Sequence, residues 1–250
     1  MKKFIALIID SDAEPIYAVG REIWRRNAKK HNIEIYFLRA DEKITDDSVR
    51  VEGDTIHSKW INNFSDRLID KTLKGFKYCL ENTDCQYILR TNLSSFFDIP
   101  LFNAYIESIP TIGVYAGPFE YFPLTLPNGI SGNFCFCSGA GYLLSRDLVS
   151  LILERNLFHP RTFGNDIPIP DDVWMALVLG DMQRSQWVRS DFTDINKNYE
   201  GIKLLLRERI WASKNTGLFH YRIKNDANTA SRQELDLMVW NLIEEQFLNV

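Results

Sequence analysis

The sequence predicts an α/β fold, and three observations carry that prediction. Apolar segments of strand length alternate with longer segments of helical period through the first half of the chain. The first apolar run, "FIALIID" (4–10), is continuous and ends in an acid, as expected of a central strand buried on both faces of a parallel sheet. The 250 residues suit one large domain or two small ones, and no repeat, low-complexity tract or linker divides them. The expectation is therefore a single domain with a mixed, mostly parallel central sheet flanked by helices.

After the first strand, residues 15–30 read as a helix closing on the basic turn "RRNAKK", and "IEIYFLRA" (33–40) as a second strand. A short strand or turn falls near 55–60. From Asp66 the pattern turns helical, with Ile69, Leu73, Phe76 and Leu80 on one face. "QYILR" is a strand, "IPLFNAYIESI" a helix and "TIGVYAG" (111–117) a strand. Residues 118–133 carry Pro118, Pro123, Pro127, Gly129 and Gly132 and read as a long loop. "NFCFCSGAGYLLS" reads as strand, turn, strand, with Ser145 as N-cap of a helix running to about Glu154. A second Pro/Gly loop spans 156–170. Pro170 then precedes Asp171-Asp172, which open a helix to about Leu179. The rest is "QWVRSD", a polar stretch, "WASKNTGLFHYRIKN" and a tail helix at about 232–247.

Composition narrows the function. Hydrophobic content of 45% and charged content of 25% are those of an ordinary globular protein. A net charge of −4 without a long basic run argues against a nucleic-acid partner. The 16 Phe, 10 Tyr and 6 Trp make either a large aromatic core or rings that stack on a sugar. Cys79, Cys85, Cys135 and Cys137 match no zinc spacing and read as reduced, mostly buried thiols. The N-terminal apolar run stops at Asp10, too short for a signal peptide, and no window approaches the length of a membrane span. A cytoplasmic protein is expected, with peripheral membrane contact still compatible.

The stretch "YILRTNLSSF" (87–96) starts as a buried strand and spills a dense polar set at its carboxyl end, where ligands of open α/β sheets bind. It belongs to an ordered series: "LIDKTLKGFKYCL", "YILRTNLSSFFD", "CSGAGYLLSRDLV", "IPDDVWMALVLG" and "LFHYRIK". Over roughly residues 66–224 this series resembles the GT-A fold of nucleotide-sugar glycosyltransferases, closest to the Fringe and β-galactosyltransferase type. The resemblance implies a nucleotide-sugar half at about 1–100 and an acceptor and catalytic half at about 101–250. It also implies an enzyme of polysaccharide or glycan synthesis that moves a sugar, with inversion, from a nucleotide sugar to a hydroxyl acceptor. A UDP-sugar is the first donor to test.

One departure matters. Where such enzymes carry Asp-x-Asp for a divalent cation, this chain has Asn92-Leu93-Ser94. Asn and Ser are poor sole ligands for a hard cation, so no metal ligand is assigned and neither manganese nor magnesium is expected. Asn92 and Ser94 are instead candidates to hydrogen-bond a ribose or a diphosphate oxygen; the bland alternative is that the serines only cap the next helix. Without a metal, other cations must offset the diphosphate, and Lys74, Arg90, His220, Arg222 and Lys224 are the candidates. Asp10 and Ser11, at the end of the first strand, correspond to the edge of the nucleotide base and ribose.

By the same resemblance, one acid of the pair Asp171-Asp172 is the base that takes the acceptor's proton. Asp172 matches the second acid and is favoured; the alternative is that both merely complement the helix dipole, which would depress their pKa. Asp166, upstream in "GNDIPIP", is next in line. Gly139, Ala140 and Gly141 correspond to a turn beside the donor sugar and acceptor, and Tyr115 and Phe119 are candidate acceptor rings, hydrophobic packing being the rival explanation. Two other functions stay open. Asp10-Ser11-Asp12 after an apolar strand, with Thr91 and Asp171-Asp172 later, is compatible with a haloacid-dehalogenase-type phosphatase, although Glu14 stands where Thr or Val is usual. The missing Asp-x-Asp is compatible with a non-catalytic glycan-binding module.

Overall fold

The computed structural model describes residues 3–11, 13–61, 63–125, 131–163, 167–180, 182–192, 201–224 and 229–249. In chain order the elements are β1 (Phe4–Ile9), α1 (Ile16–His31), β2 (Glu34–Asp41), β3 (Arg50–Glu52), β4 (Thr55–Lys59), α2 (Phe64–Asn82), β5 (Tyr87–Asn92), β6 (Ser95–Phe97), α3 (Ile99–Ser108), β7 (Tyr115–Gly117), β8 (Phe119–Thr125) and β9 (Ser131–Cys137). There follow β10 (Gly141–Ser145), α4 (Arg146–Arg155), β11 (Thr162–Phe163), β12 (Ile167–Pro168), α5 (Asp171–Leu179), β13 (Arg184–Gln186), β14 (Ser190–Asp191), α6 (Ile202–Asn215), β15 (His220–Arg222) and α7 (Thr229–Ile243).

The main sheet has eight strands in the order β13-β7-β10-β5-β1-β2-β4-β3. Neighbours β5, β1, β2 and β4 are parallel, as are β7 and β13, while β10 and β3 run against their neighbours. This is the mixed, mostly parallel sheet that the sequence predicts. The unbroken apolar character of β1 has a simple cause. Phe4, Ala6 and Ile8 pack with Trp24 and Ala28 of α1 and Phe102 and Ile106 of α3; Ile5 and Leu7 pack on the other face with Ile69, Leu73 and Phe76 of α2. With both faces covered there is no polar side to encode. A three-stranded sheet, β14-β15-β6, joins α6 and α7 around a third core holding Phe96, Tyr221, Leu206 and Trp240.

Three expectations are corrected. Residues 118–133 are mostly not loop: β8 and β9 form an antiparallel ribbon, in register from Phe119↔Cys137 to Thr125↔Ser131. Pro123 sits inside β8, which a two-stranded ribbon tolerates because each strand has an unpaired edge; residues 126–130 at its tip lie outside the described residues. Helix α6 escaped detection. Its buried Ile202, Leu206 and Ile210 keep helical spacing, but exposed Leu204, Leu205 and Trp211 blur the period. Ser145 does precede α4, yet its hydroxyl accepts the N–H of Val114 at 2.9 Å and makes no capping bond to the helix.

Among the described residues no helix is long and apolar enough to cross a membrane. All four cysteines are free thiols; Cys79, Cys85 and Cys137 are buried and Cys135 is half-buried.

Candidate functional site

Helix α1 carries the chain from β1 to β2 on one face of the sheet, and α2 leads from β4 back to β5 on the other. The carboxyl ends of β1 and β5 therefore lie side by side at a switch in strand order, where open α/β sheets place ligands. The turn before antiparallel β10 reaches the same end, because Gly141 pairs with Thr91. A cleft of about 860 Å³ opens there. Asp10, Ser11, Arg90, Asn92, Ser94, Gly139, Ala140, Asp171, Asp172 and Arg222 all line it, so the tertiary structure brings together most of the candidate residues.

The two acids that open α5 have different surroundings. Asp171 is 7% exposed and is held by a salt bridge from Arg90, whose other terminal nitrogen donates to the Gly139 carbonyl at 2.6 Å. Asp172 makes no salt bridge among the described residues. Its Oδ2 accepts the Gly139 N–H at 2.7 Å and its Oδ1 the Val173 N–H at 2.9 Å. Burial first, and the neighbouring Asp171 charge second, raise its pKa to about 6. The expected depression by the helix dipole is thus outweighed: desolvation of a carboxylate exceeds what one helix terminus returns. Gly139 lets the turn approach closely, since a Cβ there would lie 3.0 Å from both Arg90 Nη1 and Asp172 Oδ2 and push on both side chains.

Asn92 is a hub. Its Oδ1 accepts from Ser94 N (3.1 Å), Ser94 Oγ (3.0 Å), Ser95 Oγ (3.2 Å) and Arg222 Nη1 (2.7 Å), while its Nδ2 donates to the Gly139 carbonyl at 3.1 Å. Thr91 adds a bond from Oγ1 to the Ala140 carbonyl at 2.7 Å. The polar burst at the end of β5 therefore ties three segments together: its own turn, the turn at 138–140 and β15. Asp10 is likewise an organiser. It is 2% exposed, accepts from Arg21 at 2.6 Å and offers its carbonyl to Lys71 Nζ at 3.0 Å. Asp12 and Asp166 lie outside the described residues.

Cations dominate the remaining wall. Arg67, Lys71, Arg222 and Lys224 line the cleft, and none makes an ion pair with a carboxylate among the described residues. Arg189 also reaches in, but Glu120 and Asp191 neutralise it. Burial, followed by the nearby Arg90 charge, lowers the Lys71 pKa to about 8. Over the same opening Trp60 and Phe64 are 44% and 64% exposed, and the Arg67 guanidinium sits 3.8 Å from the Trp60 ring centre. A chain of net negative charge thus gathers in one cleft, beside an exposed indole, four cations that make no ion pair among the described residues.

Several candidates fall elsewhere. Lys74 points away from the cleft toward Asp47 and Asp70, at 3.7 and 3.6 Å. Lys71, one turn earlier, takes the position expected of it; the two stand at i and i+3 in "DKTLK", and their distance along the helix from the cleft separates them. His220 is fully buried and stacked on Phe97 at 4.3 Å, with its Nδ1 accepting from Trp187 Nε1 at 3.1 Å. Burial, then the charges of Arg189 and Arg222, push its pKa well below the usual imidazole range, so it is neutral and offers no cation. Tyr115 is fully buried and accepts the Cys137 N–H, and Phe119 packs against the same core. Both carry the hydrophobic packing weighed against an acceptor role. Gly141 lies behind the cleft, where a Cβ would meet Phe97 at 2.7 Å. Sequence reading missed Arg67, Lys71, Arg189, Trp60 and Phe64. A cation and two aromatics within eight residues of the start of α2 were the available signal.

The sequence resemblance implies a divalent cation, and the described residues of the cleft do not fit one. The side-chain oxygens of Asn92 and Ser94 are already engaged by the Arg222 cation, Asp171 is engaged by Arg90, and among the described residues no group of three or more His, Cys, Asp or Glu could hold a metal.

The sheet order and cleft define a GT-A-like fold. The chain is similar, over 95% of its own length and 100% of the other, to the crystal structure of a glycosyltransferase involved in the glycosylation of the major capsid of PBCV-1, at a TM-score of 0.51 and 10% sequence identity. That likeness supports the fold; a Fringe-type assignment does not follow from it. HddC from Yersinia pseudotuberculosis matches 75% of this chain and 90% of its own at 11% identity, with a TM-score of 0.39 that carries no argument. No protein-family model matches the chain, and no curated protein matches it.

Proposed function

We propose that this chain is an inverting glycosyltransferase that takes a nucleotide sugar, a UDP-sugar first among those to test, and a glycan or other hydroxyl acceptor. The observation that supports this best is the cleft's pairing of opposites: four cationic side chains without an ion-pair partner among the described residues, next to a half-buried carboxylate whose pKa is raised toward neutrality. The cations suit a diphosphate, and the carboxylate suits a general base.

The reaction balances on these groups. The acceptor oxygen attacks the anomeric carbon while its proton passes to Asp172. The bond from that carbon to the diphosphate oxygen breaks on the opposite side, and its electron pair leaves with the nucleoside diphosphate, whose added charge the cations offset. The Arg90 salt bridge fixes Asp171 in place, and the Asp171 charge helps hold the Asp172 pKa up. Asp10 argues against the phosphatase alternative, because a nucleophile must be presented to substrate and this carboxylate is buried on Arg21.

The test is incubation with a panel of nucleotide sugars, with and without simple sugar acceptors, following released nucleoside diphosphate and the anomeric configuration of the product. Release with inverted configuration is the expected result. Hydrolysis of a generic phosphate ester instead would favour the phosphatase. Glycan binding with neither activity would favour a binding module.

A further inference from the structure

We propose that the Arg222 guanidinium is a built-in counter-charge for the donor's diphosphate, standing where the fold's relatives would hold a metal ion. The inference rests on the nucleotide-sugar reading and deepens it. Arg222 Nη1 bridges the two side chains that replace the missing acids, at 2.7 Å from Asn92 Oδ1 and 2.9 Å from Ser94 Oγ. Both are neutral acceptors, so they orient the cation without neutralising it. A carboxylate at either position would form an ion pair with Arg222 and cancel the charge the phosphates need.

The backbone is fixed as well. β15 pairs antiparallel with β6, placing Arg222 opposite Ser95, and the Ile223 N–H bonds to the Ser94 carbonyl at 2.8 Å. The remaining donors, Nε and Nη2, make no hydrogen bond among the described residues, and the side chain lines the cleft. A planar fork with two free donors suits a phosphate oxygen pair. Lys71 and Lys224 line the same cleft and add charge to the remaining phosphate oxygens. A divalent ion at Asn92 would have to displace a cation that already holds that oxygen, so metal and Arg222 exclude one another.

Titration calorimetry with UDP, GDP and inorganic pyrophosphate tests this, in excess EDTA and again with manganese. The wild-type protein is expected to bind a nucleoside diphosphate equally well in both buffers. Arg222→Gln should weaken that binding by about 10- to 100-fold, the worth of a charged hydrogen-bonding partner, with Arg222→Lys retaining part of it. Adding Asn92→Asp and Ser94→Asp to Arg222→Gln should restore binding only when manganese is present. Wild-type affinity that vanishes in EDTA and returns with manganese overturns the proposal and leaves the nucleotide-sugar reading standing; so does Arg222→Gln binding like wild type. Wild-type protein that binds none of the three probes in either buffer overturns both. The chelation comparison uses no variant, so it decides even if Arg222→Gln fails to fold.

Discussion

The Asp172 carboxylate accepts the N–H of Gly139 at 2.7 Å, so the acid that opens α5 is fixed against the turn that opens β10. Asp172→Asn keeps an oxygen for that bond but cannot take a proton. It is expected to lower kcat by about 10²- to 10⁴-fold with little change in nucleoside diphosphate affinity. The base works as the anion, and its pKa is raised to about 6. Activity should therefore fall as pH drops through about 6, and a kcat/KM profile taken across that value should lose this acid limb in the variant. An unchanged profile would remove Asp172 from the chemistry.

Arg90 and Asp171 form a buried ion pair, and breaking one side leaves the other charge stranded. Arg90→Met or Asp171→Leu alone should cost about 3–5 kcal/mol of stability, while the double variant should recover much of it. Urea denaturation of the three variants measures this. A double variant as unstable as the sum of the singles would show that the two residues act independently.

Lys71 should give donor binding an alkaline limit. Its pKa is lowered to about 8, mainly by burial. In the free protein the ammonium is charged below that pH and neutral above it, so nucleoside diphosphate affinity should decline as pH rises through about 8. Lys71→Met should bind more weakly at neutral pH and lose this dependence. Calorimetry at several pH values tests it, and an identical slope in the variant would assign the limit to another group.

Trp60 is the largest aromatic open to a ligand at this cleft, 44% exposed with Arg67 stacked above it. Trp60→Ala should change fold stability by no more than about 0.5 kcal/mol, as surface substitutions do. If a base or sugar ring stacks there, the variant should lose about 1–3 kcal/mol of ligand affinity. Binding of donor and acceptor, measured separately, would show which of them uses the indole. No loss with either would leave Trp60 a surface residue.

The sequence by itself determined the central strands of the main sheet and the helices beside them. β1, β2, β5 and α2 follow from apolar runs and a helical face that depend only on nearest neighbours along the chain. It also placed an acid pair at the start of α5 and a polar burst at the end of β5, because a strand end and a helix start carry local signatures. What it could not decide was orientation. Whether Lys71 or Lys74 faces the cleft depends on how α2 is seated along the sheet, and whether His220 is a cation or a buried ring depends on Phe97 and Trp187, more than a hundred residues and more than thirty residues away in sequence. The dipole argument for Asp172 was sound locally and lost to burial, a quantity that exists only once β9, α4 and α2 close around α5. Arg222 shows the same limit. Asn92 and Ser94 look like a degraded metal site along the chain, and only the pairing of β15 with β6 brings a guanidinium to both.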